Sequence, residues 1–274
     1  MLIEQIDLYS YFSLSKPEGA KGILTAYMLD VNKEIGLNRQ RSAMLVLPGG
    51  GYSFVSEREN ESVAIAYLQH GLNVFVLDYS VAPAFFPTQI REAAMAMIFI
   101  RENAKKYHVD PETVGVVGFS AGGHLCGCLG NLFNAPELQD LRNADFIRPT
   151  AVILSYPVTV CTPGKTHQGS FINVSNNNPE LIERLSLDKC VTKFSSPAFI
   201  WHTMADGTVP VYGSLIMGQK YNEHGGPFEM HIFEQGGHGL SVATDEVNSP
   251  NKEAAIWVDL TIAWLKLRGF KIYS

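Results

Sequence analysis

The residues Val114-Gly115-Val116-Val117-Gly118-Phe119-Ser120-Ala121-Gly122-Gly123-His124-Leu125 run from a β-branched segment through G-x-S-x-G into a stretch rich in small and apolar side chains. A strand that reverses directly into a helix leaves no room for side chains beside the turn. Gly118 and Gly122 answer that demand, and the turn lifts the Ser120 hydroxyl above the strand ends. The helix behind points its positive N-terminus at the hydroxyl, which favours developing negative charge. Such a serine is placed to attack an acyl carbon. Phosphate chemistry fits poorly, because the turn holds neither G-x-G-x-x-G nor Gly-Lys-Ser/Thr.

A serine hydroxyl is a weak nucleophile near neutral pH and needs a base, nearly always histidine. Of the eight histidines, His238 stands in Gln235-Gly236-Gly237-His238-Gly239-Leu240, after the last apolar run. Its glycine neighbours free the loop to carry the imidazole over a sheet. With the serine in a strand-to-helix turn, the acid follows in sequence and the histidine comes last. Only His238 lies beyond the final strand. The acid is expected after the next-to-last strand, where Asp206 opens Asp206-Gly207-Thr208-Val209-Pro210. A carboxylate there would hold the His238 tautomer and stabilise the imidazolium.

Charge on a tetrahedral intermediate needs donors. Met44-Leu45-Val46-Leu47 ends in Pro48-Gly49-Gly50-Gly51-Tyr52, and three glycines after a strand bring bare N–H groups over the sheet. Gly50 and Gly51 are assigned as donors, joined by the N–H of Ala121. The remaining histidines have plainer readings. His124 packs or caps on the helix after the serine, and His202 lies inside a strand. His70, His108 and His224 end helices, where a cation suits the dipole. His167, with Tyr52, Phe85 and Phe86, is assigned to the substrate pocket.

These residues require a sheet to hold them. Two opening segments, Ile3 to Ser10 and Ile23 to Asp30, alternate as half-buried strands do. Six apolar runs follow: 43–47, 73–79, 114–118, 151–156, 198–203 and 228–233. Continuous apolar runs bounded by Gly, Pro or Asp fit strands buried on both faces of a parallel sheet. Helical periodicity lies between them at 61–70, 87–107, 121–132, 211–223 and 252–267. The expectation is one α/β domain over 1–274, with a mostly parallel sheet of about eight strands and helices on both faces. Residues 157–197, rich in Asn, Ser, Thr and Gly, break the rhythm and are read as a short cap-like insertion shaping the pocket.

Bulk properties narrow the partners. The chain has 274 residues, 46% hydrophobic and 18% charged, with a formal charge of −6. No basic run exceeds a pair such as Lys105-Lys106, which excludes a nucleic-acid footprint. No stretch approaches a membrane span. The opening residues lack a secretory pattern, and Cys126, Cys128, Cys161 and Cys190 show no metal or CxxC spacing, so a cytoplasmic protein with free thiols is expected. Neither metal nor organic cofactor is expected, the partner is a small-molecule ester, and a homodimer stands as the assembly to test.

With these motifs in place the chain resembles the α/β-hydrolase superfamily over nearly its whole length. More narrowly it resembles bacterial esterase/lipase proteins of the acetyl xylan esterase-like and feruloyl esterase-like group. The segments that carry this are 48–52, Ser56 to Glu59 with Val63-Ala64, Asp78-Tyr79-Ser80-Val81-Ala82-Pro83, 118–124, and the Asp206 and His238 loops. The stretch from Tyr79 to Pro87 is similar to a segment of hormone-sensitive-lipase-like esterases. The resemblance implies hydrolysis of short acyl esters, acetyl groups on sugars among them, through a Ser-His-Asp acyl-enzyme. Pro48 departs from the histidine that many relatives carry before the glycines, which opens the question of how that loop is anchored. An amidase, formamidase or peptidase using the same triad is the alternative. A non-catalytic ligand-binding protein on this fold is disfavoured by the presence of all three residues.

Overall fold

The computed structural model describes residues 1–273. Eight strands form one sheet in the order β1-β2-β4-β3-β5-β6-β7-β8. They are β1 (Leu2–Asp7), β2 (Ile23–Met28), β3 (Arg41–Leu47), β4 (Asn73–Asp78), β5 (Val109–Phe119), β6 (Ala151–Ser155), β7 (Ala198–Thr203) and β8 (Phe228–Phe233). β1 pairs antiparallel with β2, and β2 antiparallel with β4; from β4 onward every pairing is parallel. The helices are α1 (Leu8–Tyr11), α2 (Glu61–Leu68), α3 (Thr88–Glu102), α4 (Ala121–Leu132), α5 (Ala144–Ile147), α6 (Gln168–Ser175), α7 (Pro179–Arg184), α8 (Tyr212–His224) and α9 (Trp257–Leu267). This is the α/β-hydrolase arrangement.

Two cores flank the sheet, and strand periodicity divides residues between them. In β3, Ala43, Leu45 and Leu47 join the core that takes Ile90 of α3, Leu125 of α4 and Met217 of α8. Met44 and Val46 face the other core, with Tyr67 of α2 and Trp257 and Ile262 of α9. β7 alternates likewise, with Ala198 and Ile200 on the first side and Phe199 and Trp201 on the second. Burial on both faces explains why these strands read as unbroken apolar runs.

Several boundaries differ from the sequence expectation; β5 begins at Val109 rather than 114, and α9 at Trp257 rather than 252. β1 stops at Asp7, whose side chain accepts the Ser10 N–H and caps the single turn α1 where strand was expected to Ser10. α3 ends at Glu102, with the Asn103 side chain donating to the Phe99 carbonyl, rather than running to Tyr107. Residues 157–197 are not an open loop. They hold α6, α7 and a 3-10 turn at Leu187–Lys189, and Phe171, Val174, Leu185 and Leu187 are buried in the α3/α4 core. The apolar residues are spaced too sparsely for a period to show in the sequence. No helix among the described residues is long and apolar enough to cross a membrane.

Candidate active site

Ser120 stands between β5 and α4 with φ 54° and ψ −116°. Its N–H donates to Ser155 O, and its carbonyl accepts from His124 and Val158, all at 3.0 Å. These bonds hold a positive-φ backbone that a non-glycine residue would otherwise avoid. The flanking glycines are sterically required. A Cβ at Gly118 would lie 2.1 Å from Gly122 O, and one at Gly122 would lie 2.1 Å from Leu47 O and 2.2 Å from Pro48 O. Gly122→Ala must therefore part α4 from the end of β3. It is expected to destabilise the fold by about 1–3 kcal/mol and to remove most turnover. Melting curves and steady-state rates check this, and wild-type values of both would show that the contact yields freely.

The glycine-bearing loop after β8 brings His238 back over the sheet, with Gly236 at φ 130° and Gly239 at φ 77°. His238 Nε2 lies 2.8 Å from Ser120 Oγ, and Nδ1 lies 2.7 Å from Asp206 Oδ2. The turn after β7 supplies Asp206, whose Oδ1 accepts the N–H groups of Thr208 and Val209 at 2.9 Å each. His202 Nε2 also approaches Asp206 Oδ2, at 3.3 Å, and the Val209 carbonyl at 2.9 Å. Both are acceptors, so Nε2 carries the hydrogen and donates. Burial works to raise the Asp206 pKa, but donation from His202 and His238, the His238 charge and the Val209 N–H outweigh it and hold the group well below the usual carboxylate range. Asp206 is thus ionised wherever His238 could work as a base.

Ser120, His238, Gly50, Gly51 and His167 line one open cleft of about 760 Å³. Ala121 opens α4, so its N–H has no acceptor within the helix. Among the described residues, no protein group accepts from the N–H of Gly50 or Gly51. No group of three or more His, Cys, Asp and Glu among the described residues is arranged to hold a metal ion. The arrangement can take a proton from a serine hydroxyl in a cleft that also holds N–H groups without a protein acceptor.

The BD-FAE family profile matches residues 29–221, which include the serine turn, the glycine loop and Asp206. The chain belongs to the BD-FAE family. This places it in an esterase group of the α/β-hydrolases. Endo-1,4-beta-xylanase B of Butyrivibrio fibrisolvens is 38% identical over 76% of this chain and 34% of its own length. The acetylxylan esterase of Xylanibacter ruminicola is 28% identical over 76% of this chain and 42% of its own. The chain thus spans less than half the length of either curated relative. Solved structures match end to end. The acetyl ester-xyloside bifunctional hydrolase from Caldicellulosiruptor lactoaceticus gives a TM-score of 0.84 at 32% identity, covering 97% of both chains. The carboxylesterase Cest-2923 from Lactobacillus plantarum gives 0.83 at 28%, covering 98% of both.

In this BD-FAE chain the glycine loop is anchored without a histidine at 48. Tyr79 donates its hydroxyl to Pro48 O at 2.6 Å, and Gly49 donates its N–H to Glu59 Oε2 at 2.7 Å. Buried Glu59 also accepts the Tyr156 hydroxyl at 2.6 Å through Oε1. That hydroxyl accepts the Ser241 N–H at 2.8 Å, and the Tyr156 ring meets His238 edge to face at 5.1 Å. One carboxylate therefore ties the glycine loop to the loop of His238. Glu59→Gln keeps the shape but presents one acceptor oxygen where two are used, leaving a buried donor unpaired at about 1–3 kcal/mol. Turnover should fall with the melting temperature, and a cycle with Tyr156→Phe should show coupling between the sites. Strict additivity in that cycle would argue against the brace.

Three pocket assignments require correction. Tyr52, at φ 58°, is buried, and its hydroxyl meets His124 Nδ1 at 2.8 Å. Phe86 lies elsewhere, with its N–H bonded to Val174 O and its ring beneath the Arg184 guanidinium. Phe85 is outside the cleft lining as well. His167 does line it, with Nδ1 held at 2.9 Å by Ser170 Oγ. Glu59, Tyr156 and His202 were not found from sequence. Glu59 falls in the family-like segment 56–59, the one signal that could have marked it.

Proposed function

We propose that the chain is a serine ester hydrolase that removes short acyl groups, acetyl foremost, from hydroxylated alcohols such as sugars. The observation that carries the reading is the continuous hydrogen-bonded path Asp206–His238–Ser120, with unclaimed N–H groups of Gly50, Gly51 and Ala121 in the same neighbourhood. His238 takes the Ser120 proton as Oγ attacks the acyl carbon. The oxyanion gathers at the backbone donors, and His238 returns the proton to the leaving alcohol. Water, activated by the same imidazole, then frees the acyl group from Ser120. The acetyl preference is supported by the names of the acetylxylan esterase and the acetyl ester-xyloside hydrolase to which the chain is similar.

A fluorophosphonate should label Ser120 stoichiometrically, located by peptide mass spectrometry. A series of p-nitrophenyl esters should then show kcat/KM falling as the acyl chain lengthens, and acetylated sugars should release acetate. Labelling elsewhere, or faster cleavage of a matched anilide than of the ester, would overturn the assignment.

A further inference from the structure

We infer that the cleft is built to take esters whose alcohol half carries a carboxylate, with Arg58 as the residue that selects them. This rests on the ester-hydrolase reading above and adds the class of leaving group. To protonate the departing alcohol, His238 Nε2 must reach its oxygen, so the alcohol half lies on the His238 side of the cleft. Arg58 is on that side. A Cβ at Gly239, the residue after His238, would lie only 2.8 Å from the Arg58 guanidinium. The Ser241 hydroxyl donates to the Arg58 carbonyl at 2.6 Å, so the backbone that carries the cation is tied to the same loop as the base.

Arg58 is exposed and lines the cleft. Among the described residues no carboxylate comes within ion-pair distance of it, and its one side-chain hydrogen bond is a long 3.5 Å approach to Ser249 Oγ. The neighbouring Glu59 is spent on Gly49 and Tyr156. A planar guanidinium with free donors matches a carboxylate in two parallel bonds. Phe54, 60% exposed and also lining the cleft, offers an apolar face for the ring that bears the charge. An acetylated acidic sugar combines both features. Glu57 lines the same cleft with the opposite sign, so it should oppose the preference.

The test compares para-acetoxybenzoate with its uncharged amide, para-acetoxybenzamide. The quantity read is the ratio of their kcat/KM values, compared between variants so that intrinsic reactivity cancels. Arg58→Gln should lower the charged-to-neutral ratio about 3–10-fold. Arg58→Lys should retain part of it, and Glu57→Gln should raise it. In the wild type, about 1 M NaCl, where the Debye length is about 3 Å, should also depress the ratio. A ratio equal in wild type and Arg58→Gln, or one insensitive to salt, overturns the subsite while both esters are still cleaved. Failure of the wild type to cleave either ester overturns the hydrolase reading beneath it.

Discussion

Ser120→Ala is expected to reduce turnover of p-nitrophenyl acetate by about 10⁴–10⁶-fold, leaving little beyond the spontaneous rate. Oγ is the atom on which the acyl group would be carried, so its removal deletes both halves of the reaction rather than weakening one step. The folded chain should hardly notice. The change gives up one partly exposed hydrogen bond, Oγ to His238, at about 1 kcal/mol, which shifts the melting temperature by no more than about 4 °C. The backbone at 120 keeps its bonds to Ser155, His124 and Val158. Substrate affinity should also survive, because the cleft walls are untouched. Isothermal titration with a slow or non-hydrolysable ester would show binding without turnover. Retention of even a tenth of the wild-type rate would mean that another group attacks the ester.

Asp206→Asn is the second large loss, about 10³–10⁴-fold in kcat. The carboxylate accepts from His238 Nδ1, so the proton sits there and Nε2 is free to receive one from Ser120. An amide can present its NH₂ to Nδ1 instead, which places the imidazole hydrogen on Nε2 and points a donor at the serine. The same NH₂ would face the N–H of His202, whose Nε2 lies 3.3 Å from the carboxylate oxygen it would replace. Two donors then meet where an oxygen is needed. Stability reports the same group. The Asp206 pKa in the folded chain is held below the unfolded value of about 3.9, so its stabilising contribution is complete above that value. It is lost as pH falls toward the depressed folded value. The difference in melting temperature between wild type and Asp206→Asn should therefore narrow from pH 7 to pH 3. A gap that widens in acid would show that the carboxylate is not the stabilised species.

How much of this could be read in the chain follows from how local each signal is. Ser120, His238 and Asp206 each occupy a turn closely following a strand, two of them between glycines, and a strand is visible from its own residues. The division into two cores follows from the apolar runs, which mark strands covered on both faces. Tyr52 shows where such reading stops. Adjacency to Gly51 says nothing about direction, and the ring turns inward to His124. Phe85 and Phe86 fail for a related reason, since closeness in sequence to a family-like segment does not put a ring in the cleft. Glu59, Tyr156 and His202 were hidden because their meaning lies in contacts between segments far apart in sequence. Glu59 becomes a site residue only once Gly49 and Tyr156 bond to it and Tyr156 in turn takes the Ser241 N–H.

That buried carboxylate has a consequence for anyone recombining members of the family. Segments 56–59 and 238–241 function as one interlocking part, although most of the chain runs between them. Transplanting either segment alone into a related scaffold would strand a hydroxyl or an amide opposite the wrong neighbour. Chimeras that exchange the two together, with Tyr156, should keep their catalytic geometry, and crossovers placed between them should be drawn with that unit intact.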